Sequence, residues 1–301
     1  MTSRFIVYGY LLLKAFGAFA DGRVEIREDQ GQADLILDDS VVATFMHSRD
    51  RSSKERDHAT YKPFLHVVDP ETGHFVTKGP GGQFTHHRGI FIGWNRLAFD
   101  GRQFDFWHMK GVDQVHQAFS KRVQTRDTAG VTAMIHWNDQ EREAILVESR
   151  TMTAAKLEGG VVQIDFISRL KSVRGDVHLK GDPEHAGVQF RPGNEVVRKQ
   201  TRYLFHREGI DPKKDLDLPW VCESFELPFG KFAVVHLNHP QNPKGTRYSA
   251  YRDYGRFGAF STSRIKQGET LSLRYRFLVF KEESPTREQI QAAYHRFANR
   301  D

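Results

Sequence analysis

From Val24 to about residue 283 the chain runs as strand-length segments of alternating or β-branched apolar residues, cut at short intervals by Gly, Pro, Asn and Asp. A period of two sustained over such a length restricts the fold to packed sheets. Ala33 to Leu37 alternates around Asp34, and Val41 to Met46 is apolar and β-branched. Phe64 to Val68 runs into the turn Asp69-Pro70-Glu71-Thr72-Gly73. Val131 to Trp137 and Ala144 to Thr153 flank the polar turn Asn138 to Arg142. Gly159-Gly160 separates Met152 to Leu157 from Val161 to Leu170 as a hairpin turn. In the last segment Val162, Ile164, Phe166 and Ser168 alternate with Gln163, Asp165 and Ile167, which predicts a half-buried antiparallel strand with the first set inward. Ser48 to Lys62 is charged and almost without apolar residues, and reads as an exposed loop or lid.

Helical spacing enters only at the end. Ser284-Pro285 supplies a cap and a first-turn proline, and Ile290, Tyr294 and Phe297 form one apolar stripe through Arg296. The expected fold is therefore all-β: a large antiparallel β-sandwich with a C-terminal helix, one domain over residues 21–301. With 301 residues and 39% hydrophobic content, the chain can bury a sizeable core. Its net charge of +6 comes without a sustained basic block, which argues against a dedicated nucleic-acid surface.

Residues 1–20 read as an export signal: Arg4 opens it, Phe5 to Phe19 is mostly apolar apart from Lys14, and Ala18-Phe19-Ala20 ends it with small residues. The expected location is periplasmic or extracellular. No later run approaches a membrane span. Cys222 is the one cysteine, so no internal disulfide can form, and its strand-like setting suits a buried small apolar residue.

The chemistry concentrates in Gly79 to His108, which joins a glycine-rich turn, the tandem His86-His87 with Arg88, an apolar strand and the segment Asp105-Phe106-Trp107-His108. Side chains of neighbouring strand residues point apart, so His86 and His87 can converge only at a bend. Gly79-Pro80-Gly81-Gly82 is suited to provide one. If Phe104 to His108 is extended, Asp105 and Trp107 share an open face, where an indole can stack on a sugar and a carboxylate can take a proton. Glu184 to Gly193 places His185, Gly187, Gln189 and Arg191 on one face, opposite Val188 and Phe190. A third cluster, Val234 to Phe260, carries His236, Asn238, His239, Arg252, Asp253, Tyr254 and Arg256. No HExxH, paired CxxC, acidic calcium loop or phosphate-binding glycine loop is present.

Taken in order, His86 to Gly89, Asp105 to His108, Glu184 to Gly187, His239 to Pro243 and Arg252 to Gly255 give the chain a family likeness. It resembles the PmoA-like domain family, labelled methane oxygenase PmoA and made up mostly of exported bacterial proteins, over roughly residues 61–280. It departs from that pattern at Ser249-Ala250 and at Ser261 to Ser263. Methane oxidation by a membrane-embedded copper enzyme would demand spanning helices, so the resemblance implies instead a soluble sandwich of the galactose-mutarotase type, presenting His, Arg, carboxylate and aromatic groups to a saccharide.

The expectation is an exported carbohydrate-active protein that moves protons on a glycoside or modified sugar, by epimerisation, elimination or hydrolysis. His87 or His108 would be base or acid, and Asp105 or Glu184 would orient it or serve as second proton carrier. Arg88 and Arg191 would stabilise an oxyanion, and Trp107 would stack on the sugar. His86, His116, His185, Gln189, Asn238, His239, Arg252 and Tyr254 would complete the binding face. Two rivals stand beside this reading: a non-catalytic glycan-binding or cell-surface module, and a metal-dependent oxygenase or lyase with a divalent ion on His86, His87 and His116.

Overall fold

The computed structural model describes residues 22–299. The proposed export signal lies outside them. Two eight-stranded antiparallel sheets and one of four strands carry the fold. The first large sheet runs in the order Glu25–Asp29, Gln32–Leu37, Ser40–Met46, Phe64–Val67, Ile90–Trp94, Ala186–Phe190, Phe257–Phe260, Arg247–Tyr248. The second runs Arg202–Phe205, Trp220–Leu227, Gly230–Asn238, Thr270–Lys281, Val162–Ser172, Ala144–Ala155, Thr128–Asn138, Asp113–Gln124. Ser263–Ile265, Val177–Leu179, Leu97–Phe99 and Arg102–Phe104 form the small sheet.

Alternation decides which side chains meet between the large sheets. Along Val162–Ser172 every second residue is buried, with Val162, Ile164, Phe166 and Ser168 inward as the pattern requires. They join Leu35, Phe45, Leu65, Ile92 and Trp94 of the first sheet and Val131, Ile135, Trp137 and Met152 of the second; the apolar members form one core. Trp94 packs on Trp137 with ring centroids 6.2 Å apart. Each large apolar side chain taken from water contributes about 1.5–3 kcal/mol, so this seam is the main source of stability.

Two central strands of the first sheet, Ile90–Trp94 and Ala186–Phe190, are buried along their whole length. Their inner face enters the core, and their outer face is covered by the segment carrying Phe106 and Trp107. Gly93 permits that cover: a Cβ there would lie 2.4 Å from the Phe106 carbonyl oxygen. The roof over this sheet is where the histidines gather.

Helix α1, Lys54–Thr60, falls within the stretch expected to be an open loop. Ser53 caps it by accepting from the Arg56 N–H, and ion pairs of Arg49 with Asp57 (2.7 Å) and Arg51 with Asp113 (2.7 Å) fix its surroundings. Its charges clamp the segment rather than solvate it. The C-terminal helix α2, Arg287–Ala298, starts later than Ser284-Pro285 suggests. Thr286 is the cap, because its side chain accepts from Gln289 N–H while the Gln289 side chain accepts from the Thr286 N–H. Ile290 and Phe297 of α2 cover Trp220, Cys222, Val235 and Leu237 on the outer side of the second sheet. Cys222 is the buried apolar residue its strand setting implied. Among the described residues no helix is long and apolar enough to cross a membrane.

Candidate active site

The glycine-rich turn bends as anticipated. Gly81, Gly82 and Phe84 have φ of 82°, 61° and 53°, and the His87 N–H donates to the Phe84 carbonyl at 2.8 Å. Adjacent residues therefore present their rings to each other, with His86 and His87 edge to face at 4.4 Å. Lys78 ties the turn together by donating to the Gly79 and Gly81 carbonyls. Arg88 donates to the carbonyls of Thr85, His87 and His58, linking the turn to α1. Arg88 is fully buried in this task, so it does not face a substrate oxyanion as expected.

Phe104 to His108 is not one strand. The strand Arg102–Phe104 ends, and Asp105 starts a turn by accepting from the backbone N–H groups of Trp107 (3.1 Å) and His108 (2.9 Å) through Oδ1. Its Oδ2 is 2.8 Å from His108 Nδ1. A short polar side chain that can satisfy local N–H groups favours a turn over extended pairing. Trp107 consequently points inward and is 0% exposed, packed on Phe91 (4.8 Å) and His87 (5.9 Å). It offers no open stacking platform.

The same local structure occurs a second time. Asp182 Oδ1 accepts from the Glu184 N–H at 3.0 Å and lies 3.0 Å from His185 Nδ1, while Oδ2 accepts from Asn95 Nδ2 at 2.7 Å. Burial opposes ionisation of both aspartates. It is outweighed at Asp105 by the hydrogen bonds from His108 and at Asp182 by those from Asn95 and His185, so both carboxyls sit below the usual range. A carboxylate on Nδ1 fixes the tautomer with its proton there, leaving Nε2 as the outward acceptor.

The imidazoles form a row. His86 lies 4.5 Å from His108, and His108 lies 5.2 Å from His185, centroid to centroid. A cavity of about 490 Å³ opens at the His185 end of the row, lined by Asp182, Pro183, Glu184, His185, Lys213 and Tyr251. Glu184 pairs with Arg252 at its edge. Beneath the row His87 packs against Tyr254 (6.2 Å), and Arg191 sits over the Tyr254 ring while donating to the carbonyls of Pro192 and Tyr254. Gln189 Oε1 accepts from Ser249 Oγ at 2.9 Å and from Arg256 Nη1 at 3.0 Å.

Burial and neighbouring cations depress His86 to about 3 and push His87 far below the ordinary histidine range. His87 is thus a buried neutral imidazole rather than the proton carrier expected of it. Arg191, lowered to about 10 mainly by burial, stays charged but is committed to backbone carbonyls. The expected residues His86, His87, Asp105, Trp107, His108, Glu184, His185, Gln189, Arg191, Arg252 and Tyr254 do gather here.

Three do not. His116 lies against His47 (4.5 Å) and Phe119 (4.5 Å), so the metal triad of His86, His87 and His116 does not form. Among the described residues no group of three or more His, Cys, Asp or Glu is placed to hold a metal. Asn238 accepts from Asn242 Nδ2, and His239 packs edge-on against Phe297 of α2; both stabilise a turn under that helix. Asp182, Asn95 and Lys62 were not anticipated in the site, and Arg256 was named only within the third polar cluster. Asp182 had a readable signal, since Asp182-Pro183-Glu184-His185 repeats the spacing of Asp105-Phe106-Trp107-His108.

The chain belongs to the family of unknown function DUF6807, whose family model matches residues 32–295. That overturns the resemblance to the PmoA-like domain family, because no PmoA or methane oxygenase family is matched. No curated protein matches the chain. Among solved structures, heparinase III is similar at 11% identity and TM-score 0.38, over 89% of this chain and 38% of that one. A galactose mutarotase related enzyme from Lactobacillus acidophilus is similar at 9% identity and TM-score 0.34, over 88% of this chain and 98% of that one. An alpha-N-acetylgalactosaminidase from Bifidobacterium bifidum is similar at 9% identity and TM-score 0.34, over 86% of this chain and 38% of that one. The chain spans under two fifths of the length of heparinase III and of the galactosaminidase.

Proposed function

We propose that this member of DUF6807 is a carbohydrate-active enzyme that transfers protons at a sugar, with His108 and His185 as its acid–base pair. The observation that carries the reading is the pair of Asp-x-x-His turns, which set two carboxylate-oriented imidazoles 5.2 Å apart, one of them, His185, lining an open cavity. Asp105 and Asp182 hold the Nδ1 protons, so each Nε2 is free to take a proton from substrate. Each imidazolium so formed is stabilised by its aspartate and can return the proton to a leaving or neighbouring oxygen. Both rings are partly exposed, His108 by 26% and His185 by 34% of the side chain, as a group in exchange with substrate must be. Glu184, Arg252, Lys213 and Tyr251 add directional hydrogen-bonding groups at the rim, which suits a polyhydroxyl ligand.

Residues 1–20 would deliver the protein to the compartment where polysaccharide is met. N-terminal sequencing of the protein recovered from periplasm or medium tests that part: a start near Asp21 supports it, and an intact Met1 sinks it.

The reaction is tested by a mass-spectrometric screen against plant and algal oligosaccharides, their uronate forms and keto-sugar derivatives, in deuterated water. A new product or deuterium uptake that disappears in His108→Ala establishes proton transfer. Saturable binding without either change would instead identify a glycan-binding module.

A further inference from the structure

The histidine row stands on an unusual charge distribution. Lys62, Lys78, Arg88, Arg191 and Arg256 are all buried around it, and among the described residues none of the five forms an ion pair with a carboxylate. Their hydrogen bonds go to neutral oxygens: Lys62 to the Trp107 carbonyl (2.7 Å), Lys78, Arg88 and Arg191 to backbone carbonyls, Arg256 to Gln189 Oε1. The nearby buried carboxyl, Glu223, is pushed up by burial and drawn down by Tyr203 and Arg191; it accepts from Tyr203, and it makes no ion pair with Arg191 within 4.0 Å. Burial relieves the cost at the lysines by lowering Lys62 well below its ordinary range and Lys78 to about 7; a buried guanidinium without a counter-charge costs several kcal/mol, and a protein tolerates it where a ligand supplies the opposite sign.

The same spot holds buried polar atoms with no protein partner. Trp107 Nε1 can only donate, and it has no acceptor; His87 Nδ1 and Arg191 Nε are likewise unpartnered. Trp107 is 0% exposed and His87 3%. The Arg256 guanidinium carbon lies 5.5 Å over the Trp107 ring, and His87 is 5.9 Å from that ring. These groups lie together directly behind the histidine row, His87 against His86 at 4.4 Å and Trp107 against His185 at 6.0 Å.

We infer that the saccharide bound here is acidic, and that a uronate carboxylate seats among Arg256, Trp107 and His87. This rests on the acid–base reading only for the ligand being a sugar; the anion site stands on the unpaired cations and orphan donors. A singly charged planar carboxylate fits better than a phosphate or sulfate, because Asp182 and Glu184 line the neighbouring cavity and would repel a dianion more strongly. Arg256 beneath it supplies the directional donors that a carboxylate takes.

The test uses the full chain, with thermal shift and calorimetry. The probes are mono-, di- and trisaccharides of glucuronate and galacturonate, the methyl esters of the same sugars, glucose, galactose, and inorganic sulfate and phosphate. Uronates should raise the Tm and bind, and the esters and neutral sugars should bind at least tenfold more weakly. Trp107→Phe, which keeps the ring and removes only the N–H, should weaken uronate binding several-fold, and Arg256→Gln more than tenfold. Retention of the wild-type circular dichroism spectrum identifies folded variants, and the wild-type comparison of acid with ester needs no variant. Equal binding of acid and ester, no binding of any uronate, or sulfate and phosphate matching the uronates would each overturn the assignment. Uronate binding with no product from any sugar would sink the proton-transfer reading and leave this one standing, and turnover confined to neutral sugars would do the reverse.

Discussion

His108 and His185 face each other at 5.2 Å, each held through Nδ1 by the aspartate three residues before it. They come from turns far apart in the chain, brought together because the strands Ile90–Trp94 and Ala186–Phe190 pair in register, Gly93 opposite Gly187. The segment after Asp105 lies over the first strand, and the Asp182 turn leads into the second.

Replacing either aspartate by asparagine should separate orientation from binding. Asn keeps the size but loses the charge that stabilises an imidazolium. Turnover in Asp105→Asn is expected to fall by about 10²–10⁴-fold, with KM changed only a few-fold. Steady-state kinetics on the substrate found by the product screen checks this; a KM effect with kcat intact would make Asp105 a structural residue. Asp182→Asn should behave in parallel.

Stability should decline on mild acidification. Burial depresses His66 to about 3, and His86 likewise to about 3, whereas both regain the ordinary value near 6.5 when unfolded. The unfolded state therefore binds protons that the folded state refuses. Their contribution is fully present above pH 6.5 and is lost as pH falls from there toward 3. The slope is at most about 1.4 kcal/mol per pH unit for each group, and less for the more exposed His86. Urea unfolding at pH 7.5, 6 and 5 measures it; a flat profile would mean these rings do not stay neutral in the fold.

The sheet behind the site should be intolerant of a single methyl. At Gly187 φ is 81° and a Cβ would fall 2.1 Å from the Ala259 carbonyl oxygen, whereas at Gly159, φ 67°, it would meet nothing within 4 Å. Gly159→Ala pays only the left-handed strain, about 1–2 kcal/mol. Gly187→Ala adds a backbone clash and should cost more than about 3 kcal/mol, lowering the Tm by several degrees beyond the first variant. Similar melting temperatures for the two would show that the strands Ala186–Phe190 and Phe257–Phe260 can part cheaply.

The period of two in Val162–Ser172 was enough to place its inward face, because a one-residue slip would expose the whole apolar set. The same rule failed at Phe104 to His108. There Asp105 satisfies two backbone N–H groups with its own side chain, so the segment turns and Trp107 goes inside. Propensity for a turn competed with alternation, and five residues of pattern could not decide between them. The tandem histidine was legible, since only a bend makes neighbours useful and the glycines announced one. Asp182 lies just before the Glu184 to Gly193 cluster, and only its spacing to His185, which copies that of Asp105 to His108, marks it. Asn238 and His239 belong to the polar cluster from Val234 to Phe260, and His239 to Pro243 also to the family likeness, yet no local signal in the chain separates a ring packed on Phe119, as His116 is, or on Phe297 from one in a site.

Cys222 should be chemically silent in the native protein. It is 1% exposed beneath α2, and burial, with Glu223 adjacent, pushes its thiol up to about 12. Thiolate is the reactive form, so a disulfide reagent should label it only on unfolding. Labelling followed along a urea titration should track loss of circular dichroism. Rapid modification of the native protein would show that α2 lifts from the sheet.

His236 offers a stabilising substitution. Its ring is fully buried among Tyr248, Phe257, Tyr275 and Phe277, stacked on the last at 4.4 Å, and neither nitrogen has a partner. Phenylalanine occupies a similar volume and stacks equally well, but carries no polar atoms to strip of water. His236→Phe is therefore expected to gain about 1–3 kcal/mol at pH 7.5, the cost of an unsatisfied buried group. Burial lowers the histidine to about 3, so the wild type alone loses stability here as pH falls through 6.5 toward that value, and the difference should widen at pH 5. Melting temperatures of both proteins at the two pH values decide it. A variant less stable at both would mean that the His236 nitrogens are satisfied after all, most simply by buried water, and that the cavity around them is polar rather than aromatic.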